Sequence, residues 1–318
     1  MQITSSRLVP FYGNGPYCYS NSTSMLLASS GENIPSAEIE VYTGVGLGAF
    51  LIPNEKLLFF SNLANPPDKG ITRALSLLGF EFKETFLDQP GNPPYDKLAS
   101  DLKTSPAVLG PLDMGYLSHN PLHKRMLGAD HFVLAYGSDK DGLLIHDPEG
   151  FPNVRVSFSQ FETAWRAESI GYRRGYYRYW ASSRRVRHPD KEQLYFATLK
   201  SFKDIYVEGE KLSSTMKWPV DQDAILMLSK HVKNDKVSPS ERGFMVFFAF
   251  RLGARRALGY ANFFAERNPG LAELKRTQAE LFGRSQSQAV DRKWGGLLGS
   301  LNLLAETEKE FKETLLAS

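Results

Sequence analysis

The chain has 318 residues, 42% hydrophobic and 23% charged, enough to bury one large core or two ordinary ones. One cysteine excludes an internal disulfide and a zinc site of several thiolates, and apolar runs such as MVFFAF (245–250) fall far short of the roughly 20 residues a membrane helix needs. The net charge of +3 divides into −6 over residues 1–165 and +9 over 166–318, which marks a boundary and makes the second part a candidate surface for an acidic partner. The competing reading is that helical sequence simply carries more Lys and Arg on its solvated side. The opening MQITSSRLVPFYGNGP has no basic stretch leading into an apolar one, so no secretory signal is expected and the chain reads as soluble and cytoplasmic.

In chain order, residues 18–29 read as a helix stopped at Gly31, and 36–43 as a second short helix. GVGLGAF (44–50) reads as a glycine-rich loop beside an active cleft, with Gly46 and Gly48 as substrate-contact candidates; it is not a GxGxxG dinucleotide fingerprint. A helix to Leu78 should meet a glycine stop and a strand alternating through Phe80 and Phe82, followed by a proline-initiated helix in PPYDKLASDLK and a buried strand in AVLGPL (107–112). MGYLSHNPLHKRMLGAD is expected to be a long loop, because Asn120-Pro121 interrupts the helix-like spacing of His119 and His123, and it makes Tyr116 and His119 candidates for substrate contact. HFVLAYGSDKDGLLIHDPEG reads as a β-hairpin around Ser-Asp-Lys-Asp-Gly, followed by a helix in FSQFETAW (158–165) and an aromatic strand in RGYYRYWA (174–181). Beyond His188-Pro189 the pattern turns to long helices, giving an α+β domain over 1–182 and a helical domain over 183–318.

Cys18 stands where a Gly/Pro loop becomes helix. There, unpaired backbone N–H groups and the positive helix end favour thiolate, which lowers the thiol pKa from about 8.5. The same N–H groups can receive charge developing on a carbonyl oxygen. A nucleophile also needs a base and a group to orient that base. His131 opens the first hairpin strand and Asp147 closes the second, within a residue or two of register, so a carboxylate can hold an imidazole across the pair. With Val133 and Ile145 on that face and Phe132 and His146 pointing away, His131 is the base and His146 a bystander. The bland alternative is a free cysteine buried as a small hydrophobe next to a common hairpin.

The order Cys, His, Asp on helix start, strand start and next strand end is the layout of papain-like cysteine enzymes. The run from Tyr17-Cys18 through GVGLGAF to ADHFVLAYGSDKDGLLIHDPEG and FETAW, about residues 10–170, resembles the N-terminal domain of the butirosin biosynthesis protein H family. That resemblance implies a papain-like, C39-type fold and a cysteine that takes an acyl group from a carrier-protein thioester and passes it to an amine in antibiotic assembly. It assigns Cys18 as nucleophile, His131 as base and Asp147 as the orienting carboxylate, with no cofactor beyond a phosphopantetheine-linked donor; a single cysteine and scattered histidines argue separately against a metal. Related peptidases usually place a glutamine about six residues ahead of the cysteine; here Tyr12 stands there, and Asn14 is the nearest amide for the oxyanion.

Residues 169–189 hold Arg173, Arg174, Arg178, Arg184, Arg185 and Arg187 without an acidic residue, a patch that suits an acidic acyl carrier protein. Interleaved aromatics would also suit nucleic acid, but no nucleic-acid-binding motif accompanies them. The apolar stripe of Phe244, Phe247, Phe248 and Leu252 has core spacing, and the helical part could close over an acyl-enzyme to exclude water. Two rival functions stay open: a cysteine peptidase or amidase on the same scaffold, and a binding module in which Cys18 is inert.

Overall fold

The computed structural model describes residues 9–13, 17–233 and 237–318. Helix α1 (Cys18–Ala28) leads to α2 (Ser36–Thr43), the short antiparallel pair β1 (Phe50–Ile52) and β2 (Leu57–Phe59), and α3 (Pro67–Leu77). Then follow β3 (Phe80–Leu87), α4 (Tyr95–Leu102), β4 (Ala107–Asp113), β5 (Asp130–Ser138), β6 (Gly142–Asp147), β7 (Phe151–Ser157), α5 (Phe158–Arg166) and β8 (Tyr176–Arg185). The remainder is helical: α6 (Lys191–Met216), α7 (Asp221–Lys233), α8 (Pro239–Phe244), a π-helical turn Met245–Ala249, α9 (Phe250–Phe264), α10 (Pro269–Val290) and α11 (Trp294–Ala317). The α+β reading holds. No helix among the described residues is long and apolar enough to cross a membrane.

The chain forms two compact units, one running to Ile39 and resuming over Pro67–Lys191, the other made of Glu40–Pro66 and Glu192–Ser318. This corrects the expected division at 182/183 in two respects. That boundary would fall inside β8, whose pairing with β3 continues to Arg185. Residues 40–66 also leave the first unit, because the Arg256 side chain, itself only 4% exposed, donates to Glu40 Oε1 at 2.8 Å and to the Phe60 carbonyl at 2.7 Å. A buried guanidinium must be satisfied, and this segment satisfies it.

In the first unit, strands are ordered β3-β8-β4-β5-β6-β7, each described pair antiparallel. Val133, Ala135 and Ile145 join Leu109, Phe161, Trp165 and Tyr179 in one core. Their neighbour Phe132 meets Tyr19 of α1 edge-on, as strand alternation requires.

Helix α1 has no amphipathic pattern. Ser20, Asn21, Ser22, Thr23 and Ser24 are all buried. Small side chains let the helix lie close to its neighbours, and their hydroxyls turn onto carbonyls: Ser22 to Phe132 at 3.3 Å, Thr23 to Tyr19 at 2.8 Å, Ser24 to Ile34 at 2.6 Å. An unsatisfied hydroxyl there would cost about 1–3 kcal/mol. The start of α1 is thereby fixed against β5.

Candidate active site

The residue before Cys18 takes an uncommon conformation. Tyr17, the N-cap of α1, has φ 92° and ψ 34°, left-handed backbone that a non-glycine residue adopts only under constraint. Its carbonyl accepts the Asn21 N–H at 2.7 Å, so Cys18 is the first helical residue. Cys18 is half-buried, and its thiol lies within hydrogen-bonding range of the His131 imidazole and the Phe132 backbone N–H.

The hairpin brings the base to it. Leu134 pairs with His146, so one step further along Asp147 stands opposite Val133 and diagonal to His131. His131 Nε2 lies 2.6 Å from Asp147 Oδ1, both side chains essentially buried. With Nε2 engaged, Nδ1 is the ring nitrogen left for the Cys18 sulfur. Cys18, His131 and Asp147 therefore form one line.

His146 stays outside it. Its Nε2 faces the Val9 carbonyl at 3.2 Å, its Nδ1 accepts the Asn153 N–H at 3.1 Å, and its ring meets Phe11 edge-on.

Charge follows from this geometry. Burial works against a charged His131, but the Asp147 carboxylate and the Cys18 sulfur together outweigh it and hold the imidazole well above its ordinary pKa. Burial likewise opposes ionisation of Asp147, and there the His131 charge, hydrogen bonds from His131 and His119, and the Glu149 N–H keep it well below the usual carboxylate range. For Cys18, burial is the largest influence and pushes the thiol up, against the pull of His131 and the Phe132 N–H. The lowered thiol pKa expected from a helix start is thus reversed, because desolvation near the sheet exceeds what the helix end supplies.

His119 differs from expectation. Assigned to substrate contact, it instead places Nε2 2.7 Å from Asp147 Oδ2, with its ring edge-on to Phe151 at 5.5 Å. Sequence spacing gave no sign of this, since a 28-residue separation across a loop has no periodicity to read. The loop between β4 and β5 is pinned at its base: Asp113 Oδ1 accepts the N–H groups of Gly115 at 2.8 Å and Gly128 at 3.1 Å, and the Met114 N–H donates to the Ala129 carbonyl at 3.0 Å. Tyr116 sits exposed on that loop. Asn14 lies outside the described residues.

Gly46 and Gly48 belong to the second unit, and protein atoms account for them. A Cβ on Gly46 would come within 2.6 Å of Arg256 Cδ, and one on Gly48, whose φ is +69°, would collide with Asp221 Oδ1. These glycines make room for a buried arginine and a buried aspartate.

The arginine patch is also corrected. Arg178 is 3% exposed and pairs with Glu84 and Asp68, Arg174 donates to Asp68 at 2.8 Å, and Arg185 makes a two-pronged bond to Glu32 at 2.7 and 2.9 Å. Arg184 reaches Glu81 at 2.8 Å, and Arg173 stacks on the Tyr176 ring. The acidic partners come from α3, β3 and the turn after α1, distant in sequence, so composition within 169–189 could not show them. Arg178 and Arg185 are spent inside the unit, while Arg184 keeps its side chain exposed.

The chain is 40% identical over 309 residues to the uncharacterized protein YobF of Bacillus subtilis (strain 168), covering 97% of this chain and 99% of that protein. Residues 215–316 match the family described as the YobF C-terminal domain.

Proposed function

Taking as premise that the chain belongs to the YobF family, we propose that it is a cysteine-dependent acyltransferase on a papain-like scaffold, moving an acyl group from a thioester to an amine. The Cys18–His131–Asp147 line carries the reading. The resemblance of residues 10–170 to acyl-transferring enzymes supplies the reaction class.

In the reactive form, Cys18 is thiolate beside imidazolium. The sulfur attacks the thioester carbonyl, forming the Cys18 Sγ–acyl bond. Collapse of the tetrahedral adduct breaks the bond to the leaving sulfur, and His131 gives that sulfur its proton. Neutral His131 then takes a proton from the incoming amine as it attacks the acyl group. The Sγ–acyl bond breaks, leaving an amide and regenerating thiolate beside imidazolium. Asp147 keeps the ring oriented and compensates its charge throughout. The Cys18 N–H, at the first helical position, is a donor for the oxyanion. No metal or redox cofactor enters these steps, and a small-molecule amine is the acceptor class.

Intact-protein mass spectrometry after incubation with simple acyl thioesters tests the reading. An acyl adduct on the wild type, absent from Cys18→Ala and discharged faster by added amines than by water, is the expected result. An adduct discharged only by water would make the protein a hydrolase. No adduct with any thioester, together with inert Cys18, would leave the fold without this chemistry.

A further inference from the structure

Asp147 is held from two sides. Oδ1 receives His131 Nε2 at 2.6 Å and the Glu149 N–H at 2.8 Å, while Oδ2 receives His119 Nε2 at 2.7 Å. His119 comes from the loop between β4 and β5, whereas His131 and Asp147 come from the hairpin. A carboxylate bonded only through Oδ1 can rotate about its Cβ–Cγ bond and swing that oxygen out of line with the imidazole. A donor on Oδ2 removes the freedom.

The Nδ1 atom of His119 is buried and has no hydrogen-bond partner among the described residues. A proton there would have no acceptor, so the form that fits is the Nε2–H tautomer, a neutral donor. That distinction matters for His131. A second imidazolium would neutralise Asp147 from the wrong side and weaken its hold on the base. A neutral donor fixes the carboxylate and leaves its charge for His131.

We infer that His119 is a positioning residue: from the β4–β5 loop it locks the Asp147 carboxylate so that Oδ1 stays on His131 and the base stays on Cys18. This deepens the acyl-transfer reading by adding a fourth side chain to the line, and it rests on that reading only in taking Cys18 as the reactive thiol. The ionisable groups around His119 are Asp147 from β6, His131 from β5 across the carboxylate, His123 from its own loop, bonded through Nδ1 to the Asn120 carbonyl at 2.9 Å, and Cys18 of α1 beyond His131. Phe151 of β7 covers the ring without charge.

The test uses the full-length protein and iodoacetamide, which reports on Cys18 without any acyl substrate. Alkylation rates are measured across pH for wild type, Cys18→Ala as blank, His119→Ala and His119→Gln, with circular dichroism confirming that each is folded. Losing the donor on a buried carboxylate should slow alkylation of His119→Ala about tenfold near neutral pH and move its rising limb to higher pH. Glutamine offers an N–H to Oδ2 without a titrating ring, so His119→Gln should recover most of the rate and the wild-type profile. A folded His119→Ala with an unchanged profile would overturn the inference. So would a His119→Gln as impaired as the alanine variant, since that would make ring shape rather than donation the cause. If His119→Ala does not fold, His119→Phe, which keeps a ring but offers no donor to Oδ2, takes its place: slowed alkylation supports the inference and an unchanged profile overturns it. Failure of acyl transfer with these alkylation effects intact would sink the acyltransferase reading and leave the positioning role standing.

Discussion

Asp147 Oδ1 lies 2.6 Å from His131 Nε2, across a diagonal of the β5–β6 hairpin rather than directly opposite it. From that diagonal the carboxylate holds the ring through Nε2 and leaves Nδ1 to Cys18. Asp147→Asn keeps the volume but presents an amide that supplies no charge to the imidazolium and competes for the wrong tautomer. Acyl-adduct formation, followed by mass spectrometry at a temperature where circular dichroism shows the variant folded, should fall by at least about 100-fold.

The pH dependence of Cys18 reactivity follows from the burial of the pair. Thiol and imidazole are both pushed up, so near neutral pH the resting pair is thiol beside an imidazolium–carboxylate. Losing one proton gives thiolate beside imidazolium, and that loss is favoured as pH rises. Alkylation of Cys18 should therefore climb from about pH 6 to about pH 9, with an apparent midpoint belonging to the pair rather than to either residue. A plateau already reached below about pH 6 would show that the ion pair is preformed and that burial does not dominate.

Gly110 is required by its neighbour. A Cβ there would collide with the Phe132 ring, which packs on Tyr19 and Trp180 and whose backbone N–H faces the Cys18 sulfur. Gly110→Ala should destabilise the first unit by about 1–3 kcal/mol in urea unfolding. It should also slow Cys18 alkylation, since the ring cannot yield without moving β5.

The second unit should carry its own acid response. Burial, and after it the charge of Glu308, pushes the Asp221 carboxyl up to about 6, with Lys312 and the Ala49 N–H pulling it the other way. The unfolded side chain titrates near 3.9. The contribution of this group is therefore most favourable below about pH 3.9 and is lost as pH rises through about 6, a difference of about 2–3 kcal/mol. Replacing it by asparagine should flatten that part of the stability profile between about pH 4 and pH 7, read as the difference between variant and wild-type melting curves.

Arg178 tests whether the arginine cluster is structural. It is 3% exposed and neutralises Glu84 and the fully buried Asp68. Arg178→Ala should cost about 3 kcal/mol, because it takes a buried guanidinium from the half-buried Glu84 and leaves the fully buried Asp68 with Arg174 alone. Arg184→Ala, at an exposed pair with Glu81, should cost less than about 1 kcal/mol.

Helix starts, hairpin and aromatic strand were legible because each is a local pattern: Cys18 after a Gly/Pro loop, alternation through Phe80 and Phe82, and a turn between two apolar runs. Alternation was enough to separate His131 from His146. It could not reveal His119 on Asp147, or Glu32, Asp68 and Glu84 on the arginines, because those partners are joined by packing between distant segments. The thiol pKa was misjudged for a related reason: a helix end is visible in sequence, whereas desolvation depends on what the fold lays over it. The β1–β2 pair was missed because its strands are three residues each, too short to show a period.

The path of the chain between the units has a consequence for how such a protein can be divided. It crosses after Ile39, after Pro66 and after Lys191, so neither unit is a single stretch of gene. A fragment starting at Glu192 would lack Glu40 and Phe60, and Arg256 would be buried without its acceptors. A fragment ending at Lys191 would keep 27 residues whose packing partners had been deleted. The helical part is therefore no transplantable cassette, and any shuffling of this architecture has to carry the 40–66 insertion along with the C-terminal half.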